Sequence, residues 1–288
     1  MKSKTQLTEE QIRPKKLLNK IQKYIQSDIK YLISNSKKFI KVSCPACQNK
    51  KNKKYITKNS FKYLICEKCY TFFLSPRPNK NLLEKFYKQS AVYNFFNNYI
   101  FPLTEKNRSK KIVLPRIKKI IELSKKYNLK KPSIMEVGAG FGTFCDFANK
   151  SKYFSSVLAV EPSPSGAANC KKKSFIILTC PNGMGFDIQL LKEKSDSIDH
   201  EHINYFNPSS IKKLFKGCGY KVLEVFTPGQ LDVDIVRNKI LNKKFTLDNN
   251  PFYEDIIIKN YETKGFNFQK FLIENNLSSN MWVVAQKK

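Results

Sequence analysis

The chain has 288 residues, of which 41% are apolar, so it is long enough for one mid-sized domain and a small one with a buried core. The first 30 residues contain no apolar block, and no apolar run approaches the roughly 18 residues of a membrane span, so we expect neither a signal peptide nor a transmembrane helix. These features predict a cytoplasmic protein, in which the eight cysteines would not form disulfides.

The net charge of +30 raises the question of nucleic-acid binding. Only five of the basic residues are arginines, whose forked guanidinium is suited to phosphate, and the others are lysines. The chain is also rich in Asn, Ile and Phe, which share AT-rich codons with Lys, so genome composition alone could produce this bias in charge. Nucleic acid is therefore not the expected partner.

Residues 1–39 are predicted to form a basic helical leader. Apolar residues recur in it at spacings of three and four, the period of a helix with one buried face: Leu17, Leu18, Ile21, Tyr24, Ile25, Ile29 and Leu32. This face could dock on the rest of the chain or pair with a partner protein.

Two Cys-x-x-Cys pairs indicate that residues 40–78 form a zinc ribbon. Cys44 and Cys47 form the first pair, and Cys66 and Cys69 follow after an interval of 18 residues. Each pair places two thiolates on one tight turn, and a predicted hairpin between the pairs would bring the two turns together. Four thiolates fill the tetrahedral coordination of zinc, so the site would be structural. The alternative is four buried free thiols.

Residues 79–131 have the apolar spacing of helices and are predicted to form a helical linker. The remainder, 132–288, has the alternation of strands and helices of an α/β domain. Its predicted strands are 134–137, 157–160, 175–179, 220–226 and 281–285. The last two are expected to form an antiparallel pair that closes the sheet. Asn207 is the predicted N-cap of the helix before this pair, and 238–276 look like a helical insertion.

Three closely spaced glycines follow the first of these strands. Gly138, Gly140 and Gly142 allow a tight turn and a close approach of the backbone to a ligand, and the helix after them offers free amide donors. Glu161 follows the second strand, where an acid reaches a ribose diol in nucleotide-binding sheets. The spacing G-x-G-x-G departs from the dinucleotide fingerprint G-x-G-x-x-G. Together with the strand before them and the acid after them, the glycines favour a nucleoside-type ligand over a purely structural turn.

With Glu136 two residues before the first glycine, this segment resembles motif I of class I S-adenosylmethionine-dependent methyltransferases. A wider resemblance rests on the order of six motifs: the four cysteines, Ser-Pro-Arg-Pro, the glycines, Val-Glu-Pro, Cys-Pro-Asn-Gly, and Asp-His-Glu-His-Ile-Asn-Tyr-Phe-Asn-Pro at 199–208. Over 40–288 this order resembles bacterial class I methyltransferases with an N-terminal zinc-binding domain. That group includes sugar C-methyltransferases of deoxysugar and cell-surface glycan pathways.

The resemblance implies a Rossmann-like α/β sheet preceded by a zinc ribbon and a helical linker. It also implies S-adenosylmethionine as methyl donor, a structural zinc ion, and a small-molecule acceptor such as a nucleotide sugar. The residues that would bind the donor are Glu136, Gly138, Gly140, Gly142 and Glu161. Glu201 and His202 match the Glu-His pair at the substrate and would be the catalytic residues, with His202 taking a proton from the acceptor.

The two histidines of the chain, His200 and His202, are two residues apart, which places them on one side of an extended segment. Besides the role of His202 as a base, a metal site is an option, although no third ligand is evident. The alternative is that one histidine caps the following helix and the other lies on the surface.

One departure from the family pattern lies inside the sheet. Only 19 residues separate Glu161 from Pro181, whereas two further strand–helix pairs need roughly 60 residues. Strands 3 and 4 of the sheet are therefore expected to be missing through an internal deletion. Whether the chain is an enzyme thus stays open. The alternatives are an inactive, truncated methyltransferase remnant and an RNA methyltransferase whose ribbon and lysines bind phosphate.

Overall fold

A computed structural model describes residues 7–137, 142–160 and 175–287. The described residues form two compact units. The first unit contains 27–88 and 175–287, and the second contains 7–26, 89–137 and 142–160. No described helix is both long enough and apolar enough to span a membrane.

The strands are β1 Phe39–Ile40, β2 Asn52–Lys58, β3 Phe61–Cys66, β4 Phe72–Leu74, β5 Arg77–Pro78, β6 Ser133–Val137, β7 Ser156–Val160, β8 Phe175–Pro181, β9 Asn204–Tyr205, β10 Tyr220–Phe226 and β11 Asn280–Lys287. The α-helices are α1 Glu9–Ile12, α2 Lys15–Ser34, α3 Lys80–Gln89, α4 Ala91–Phe95, α5 Phe101–Arg108, α6 Leu114–Lys126, α7 Thr143–Lys150, α8 Phe186–Leu191, α9 Pro208–Gly217, α10 Asp232–Leu241, α11 Pro251–Glu254 and α12 Phe266–Glu274.

An antiparallel sheet in the order β2-β3-β4-β9 forms one part of the first unit. Its β2–β3 hairpin, which the sequence predicts, turns at Asn59 and Ser60, whose positive φ angles of 50° and 66° are those of the tight turn that suits twisted strands. Strand β9 joins the sheet from far along the chain. The ring of Tyr205 on β9 stacks on Phe72 of β4 with centroids 4.2 Å apart, and both side chains are fully buried.

A second sheet of the first unit has the order β10-β11-β8, and all its pairs are antiparallel. The predicted antiparallel pair, β10 with β11, is confirmed. Helix α9 packs Ile211 and Phe215 on Val283 of β11 and its neighbours. Asn207 caps α9 as predicted, because its side chain accepts the amide of Ser210 at 2.8 Å while the Ser210 hydroxyl accepts the amide of Asn207 at 2.9 Å.

The Cys-Pro-Asn-Gly segment at the end of β8 makes a close backbone contact. A Cβ on Gly183 would lie 2.8 Å from the carbonyl oxygen of Tyr205, closer than real side chains come, so only glycine fits. The fully buried side chain of Asn182 donates to the backbone oxygens of Asn276 and Ser278 at 3.2 and 2.9 Å. This motif therefore has a structural role.

A buried pair of acids joins α8 and α10 to the residues just before β11 in the first unit. Asp187 and Asp232 both lie within hydrogen-bond reach of the Ser279 hydroxyl. Asp232 also accepts the amide of Ser279 at 2.6 Å, the hydroxyl of Ser278 at 2.7 Å and the side-chain amide of Gln269 at 2.9 Å. One serine proton cannot serve two carboxylates. Burial, followed by the charge of Asp232, raises the pKa of Asp187 to about 8, so Asp187 carries the second proton at neutral pH.

The second unit contains a continuous helical segment, Ala91–Lys126, within the region predicted as a helical linker. Two π-helical turns, Phe96–Ile100 and Ser109–Val113, interrupt it, and a proline follows each as the second residue of the next α-helix. Proline lacks an amide hydrogen and crowds the carbonyl four residues before it, so a widened turn lets the helix continue. Ile21 of α2 packs here on Val92, Phe95 and Ile100, so the leader docks on the chain, one of its two predicted outcomes.

Strands β6 and β7 form a parallel pair in the second unit, with Ile134 opposite Val157 and Val137 opposite Val160. Together with α7, they have the strand–helix–strand order that the sequence predicts. The strands described within 132–288 thus belong to separate sheets: this parallel pair, the antiparallel sheet of β8, β10 and β11, and β9 in the ribbon sheet.

Candidate functional site

The four predicted zinc ligands lie together. Their sulfur atoms are all within 4.8 Å of one another. The distance is 3.5 Å from Cys44 to Cys69, 3.6 Å from Cys47 to Cys66, and 3.5 Å from Cys47 to Cys69. A tetrahedral zinc ion with bonds of about 2.3 Å sets its sulfurs about 3.8 Å apart, so the cluster fits zinc after a small expansion. Four soft thiolates also bind zinc in preference to hard cations.

The two cysteine turns have the same backbone hydrogen bonds. In the first, Cys44 donates its amide to the Asn49 oxygen at 3.0 Å, and its own oxygen accepts the amide of Gln48 at 2.9 Å. In the second, Cys66 bonds Thr71 and Tyr70 in the same way, at 2.9 and 3.0 Å. The fifth residue of each turn, Gln48 and Tyr70, has a positive φ, at 59° and 57°. The site is therefore built from one turn used twice.

Backbone amides point at the sulfur of the first cysteine in each turn. Burial raises the pKa of Cys44 by more than the hydrogen bonds from the amides of Cys47 and Ala46 lower it. Burial also raises the pKa of Cys66, but amide donors, among them those of Cys69 and Lys68, outweigh it and lower the pKa to about 6. Such donors stabilise thiolates, the form in which cysteine binds a metal.

Of the predicted donor-binding residues, Glu136 and Gly142 are described, whereas Gly138, Gly140 and Glu161 lie outside the described residues. Gly142 precedes the first residue of α7 with φ 70°, a left-handed conformation that disfavours any side chain. Glu136 lies on β6, where its carboxylate accepts a hydrogen bond of 3.4 Å from the thiol of Cys145. Burial, followed by Glu136 itself, raises the pKa of Cys145 to about 11.

Asp199 organises the loop that carries the histidines. Its carboxylate accepts the backbone amides of Glu201 and His202 at 2.9 and 2.8 Å, and it lies 3.0 Å from Nδ1 of His202. Burial raises the pKa of Asp199, but the charge and hydrogen bonds of His202 lower it by more. The loop is thereby curled. The prediction that His200 and His202 lie on one side of an extended segment is wrong, because His200 is buried and His202 is exposed.

Three tyrosine hydroxyls fix this loop by its backbone. Tyr63 donates to the oxygen of Asp199 at 2.7 Å, and Tyr87 donates to the oxygen of Glu201 at 2.9 Å. Tyr205 accepts the amide of Asp199 at 3.0 Å. The loop is therefore held at a defined position on the ribbon sheet.

Glu201 and His202 were predicted to act together, but their side chains have different partners. Glu201 forms a cluster with His200 and Asp28, whose ligand atoms lie within 4.8 Å of one another. Burial, followed by the charge of Asp199, raises the pKa of Glu201. Asp28 is thus the third side chain of this cluster with an atom able to bind a metal, and the sequence did not make it evident. It lies in the apolar stripe of α2 between Ile25 and Leu32, and an acid at that spacing is the signal that could have identified it.

Comparisons with known proteins give structural similarity only: no family model and no curated protein matches the chain. A protein from Galdieria sulphuraria assigned as a sarcosine dimethylglycine methyltransferase is 11% identical, with 63% of this chain and 88% of that chain covered and a TM-score of 0.35. A SAM-dependent methyltransferase from Archaeoglobus fulgidus is 11% identical, with 59% and 94% covered and a TM-score of 0.31. YjhP from E. coli is 12% identical, with 59% and 88% covered and a TM-score of 0.30. These scores are too low to support an argument, so function is argued from the residues.

Proposed function

We propose that this chain is an S-adenosylmethionine-dependent methyltransferase of class I that carries a structural zinc ion. Its parts would be the leader 1–39, the ribbon 40–78, the helical linker 79–131 and the donor domain 132–288. The observation that carries the proposal is the parallel pairing of β6 and β7. Adjacent parallel strands end at the same edge of their sheet, and the glycine segment and Glu161 are the residues that follow these two strands in the sequence.

In this proposal Glu136 and the glycine segment bind the donor, and Glu161 holds its ribose. S-adenosylmethionine, when bound, supplies a methyl group on a sulfonium that is ready for direct SN2 transfer. Most of the rate enhancement would come from alignment of donor and acceptor.

For the acceptor we propose a small molecule with an ionisable O–H, N–H or C–H group, a nucleotide sugar being one such class. His202 would take the proton, and Asp199 would fix the orientation and tautomer of its ring through Nδ1. The sequence predicts Glu201 and His202 as a catalytic pair, whereas in this proposal the carboxylate that supports His202 is that of Asp199.

The donor site is tested by isothermal titration with S-adenosylhomocysteine. Gly142→Val should weaken binding roughly 5- to 30-fold, because a left-handed residue with a side chain costs about 1–2 kcal/mol and displaces the start of α7. Gly219→Val is the matched control. Gly219 also has a positive φ, 79°, but it lies in the first unit between α9 and β10. Equal affinities of the wild type and Gly142→Val would count against the site.

A second candidate, an inactive remnant that lacks strands 3 and 4, is favoured by one observation. Met135 and Leu158 are opposite each other on β6 and β7, and their side chains are 36% and 52% exposed. Parallel strands are normally covered on both faces. The remnant predicts a folded protein without measurable donor binding. Insertion of the strand 3 to strand 4 section of a full-length methyltransferase between Lys173 and Ser174 should then restore donor binding. Donor binding by the native chain would contradict the hypothesis of an inactive remnant.

A further inference from the structure

The cluster of Asp28, His200 and Glu201 lies within the first unit and outside the four-cysteine site. Asp28 comes from α2, and the other two come from the loop that Asp199 organises. Asp28 and His200 are each only 4% exposed. The Nε2 atom of His200 lies 3.8 Å from a carboxylate oxygen of Asp28, which is too long for a hydrogen bond. These are three side chains with metal-binding atoms, brought together from distant parts of the chain.

Two members of the cluster have buried polar atoms without partners among the described residues. Neither ring nitrogen of His200 forms a hydrogen bond, and Oε1 of Glu201 forms none either. Instead, the ring of Phe86 lies edge-on to His200, with centroids 5.7 Å apart. Buried imidazole and carboxylate groups nearly always have a hydrogen-bond partner or a bound ion, because they are costly to strip of water. Their unmet atoms therefore point to a missing ligand.

The charges of the cluster indicate the sign of that ligand. Asp28 and Glu201 bring two carboxylates, and the carboxylate of Asp199 also acts on His200 and Glu201. Among the described residues, no lysine or arginine forms an ion pair with Glu201. The ligand should be a cation. A cation bound between these groups would satisfy the unpaired atoms and the charge together.

We propose that Asp28, His200 and Glu201 bind a divalent first-row transition-metal ion, at a site distinct from the zinc site of the four cysteines. One imidazole nitrogen with two carboxylate oxygens suits harder or borderline ions such as Mn²⁺, Fe²⁺, Co²⁺ or Zn²⁺. The four thiolates of the cysteine site favour softer ions. Bonds of about 2.0–2.2 Å require ligand atoms roughly 3–3.5 Å apart. Since the atoms already lie within 4.8 Å, side-chain rotation closes them around the ion. The inference does not depend on methyl transfer.

The site would fasten the C-terminal half of α2 to the histidine loop. Three protein ligands leave at least one coordination position open on a four- or six-coordinate ion, unlike the closed set of four cysteines. That position would accept a water molecule.

The test is a titration of the full chain with Co²⁺ after the four-cysteine site has been saturated with zinc. One further equivalent should bind without the intense thiolate-to-cobalt absorption band, since its ligands are nitrogen and oxygen. Asp28→Asn and Glu201→Gln keep the side-chain shapes and should each weaken this binding by more than about 100-fold, beyond the loss typical of an outer-shell partner. Cobalt should also raise the melting temperature of the wild type but not that of either variant.

The matched control is His202→Gln, which changes the neighbouring histidine outside the cluster and should keep the second equivalent. Binding of no further cobalt by the folded wild type would overturn the proposal. Unchanged affinity in Glu201→Gln would do so as well, since the added ion would then lie elsewhere.

Discussion

The Cys66→Ser variant is expected to lose the single zinc ion bound by the four cysteines and to lose the folded β2-β3-β4-β9 sheet with it. Cys66 is fully buried and ends β3, so the metal site and the sheet share this residue. Structural zinc contributes about 10–16 kcal/mol to the folding of zinc-finger peptides, as much as the whole stability of a typical domain. Metal analysis should find about one equivalent in the wild type and much less in the variant, and thermal unfolding should begin at a far lower temperature.

Cys218→Ser is the matched control for this experiment. Cys218 is an exposed cysteine outside the cluster, so its loss should change neither the zinc content nor the unfolding temperature. A purified wild type that is folded, contains no metal and titrates four free thiols in 44–69 would contradict the zinc site.

The buried acid pair should make the free energy of unfolding depend steeply on pH. The pKa of Asp187 is about 8 in the folded chain and about 3.8 when exposed, so between these values the folded state holds a proton that the unfolded state releases. Its contribution to stability is therefore fully present below about pH 4 and is lost as the pH rises through 8. The loss amounts to at most about 1.4 kcal/mol per pH unit. Chemical denaturation at a series of pH values from 4 to 9 measures it.

Asp187→Asn should flatten this dependence and leave the chain more stable than the wild type at pH 9. The amide reproduces the protonated acid, since its NH₂ group donates to Ser279 while its oxygen accepts from Ser195 and Ser197. Asp196→Asn, at a half-exposed acid nearby, should leave the slope as it is in the wild type. The same slope in Asp187→Asn as in the wild type would show that Asp187 is not the group responsible.

Features set by neighbouring residues could be predicted from the sequence. The β2–β3 hairpin, the cap at Asn207 and the two cysteine turns each depend on a few consecutive side chains, whose chemistry is read directly. The pairing of Cys44–Cys47 with Cys66–Cys69 could be predicted as well, because the two turns are separated by a single hairpin and a metal would join them.

Features that depend on distant partners could not be predicted in this way. Asp28 gives a local signal, an acid in an apolar stripe, but nothing in the sequence says that its partners are His200 and Glu201. The direction of His202 follows from one side chain, Asp199, which accepts two backbone amides and curls a segment whose residue pattern suggests an extended one. The addition of β9 to the ribbon sheet likewise depends on tertiary packing alone.

The position of β9 has a consequence for the order in which the chain folds during synthesis. All four cysteines lie within 44–69 and the second turn ends at Thr71, so the ribbon can capture its metal as soon as this short stretch leaves the ribosome. The edge of β4 that pairs with β9 stays unpaired until β9 has been synthesised. The hydrogen bond from Asn207 to the oxygen of Cys69 gives the scale of this delay, because it joins residues 138 positions apart. At 5–20 residues per second, that wait is roughly seven to thirty seconds. During this time the rings of Phe72 and Phe73 lie at an unpaired strand edge, so nascent chains should depend on chaperones most strongly just before β9 is made.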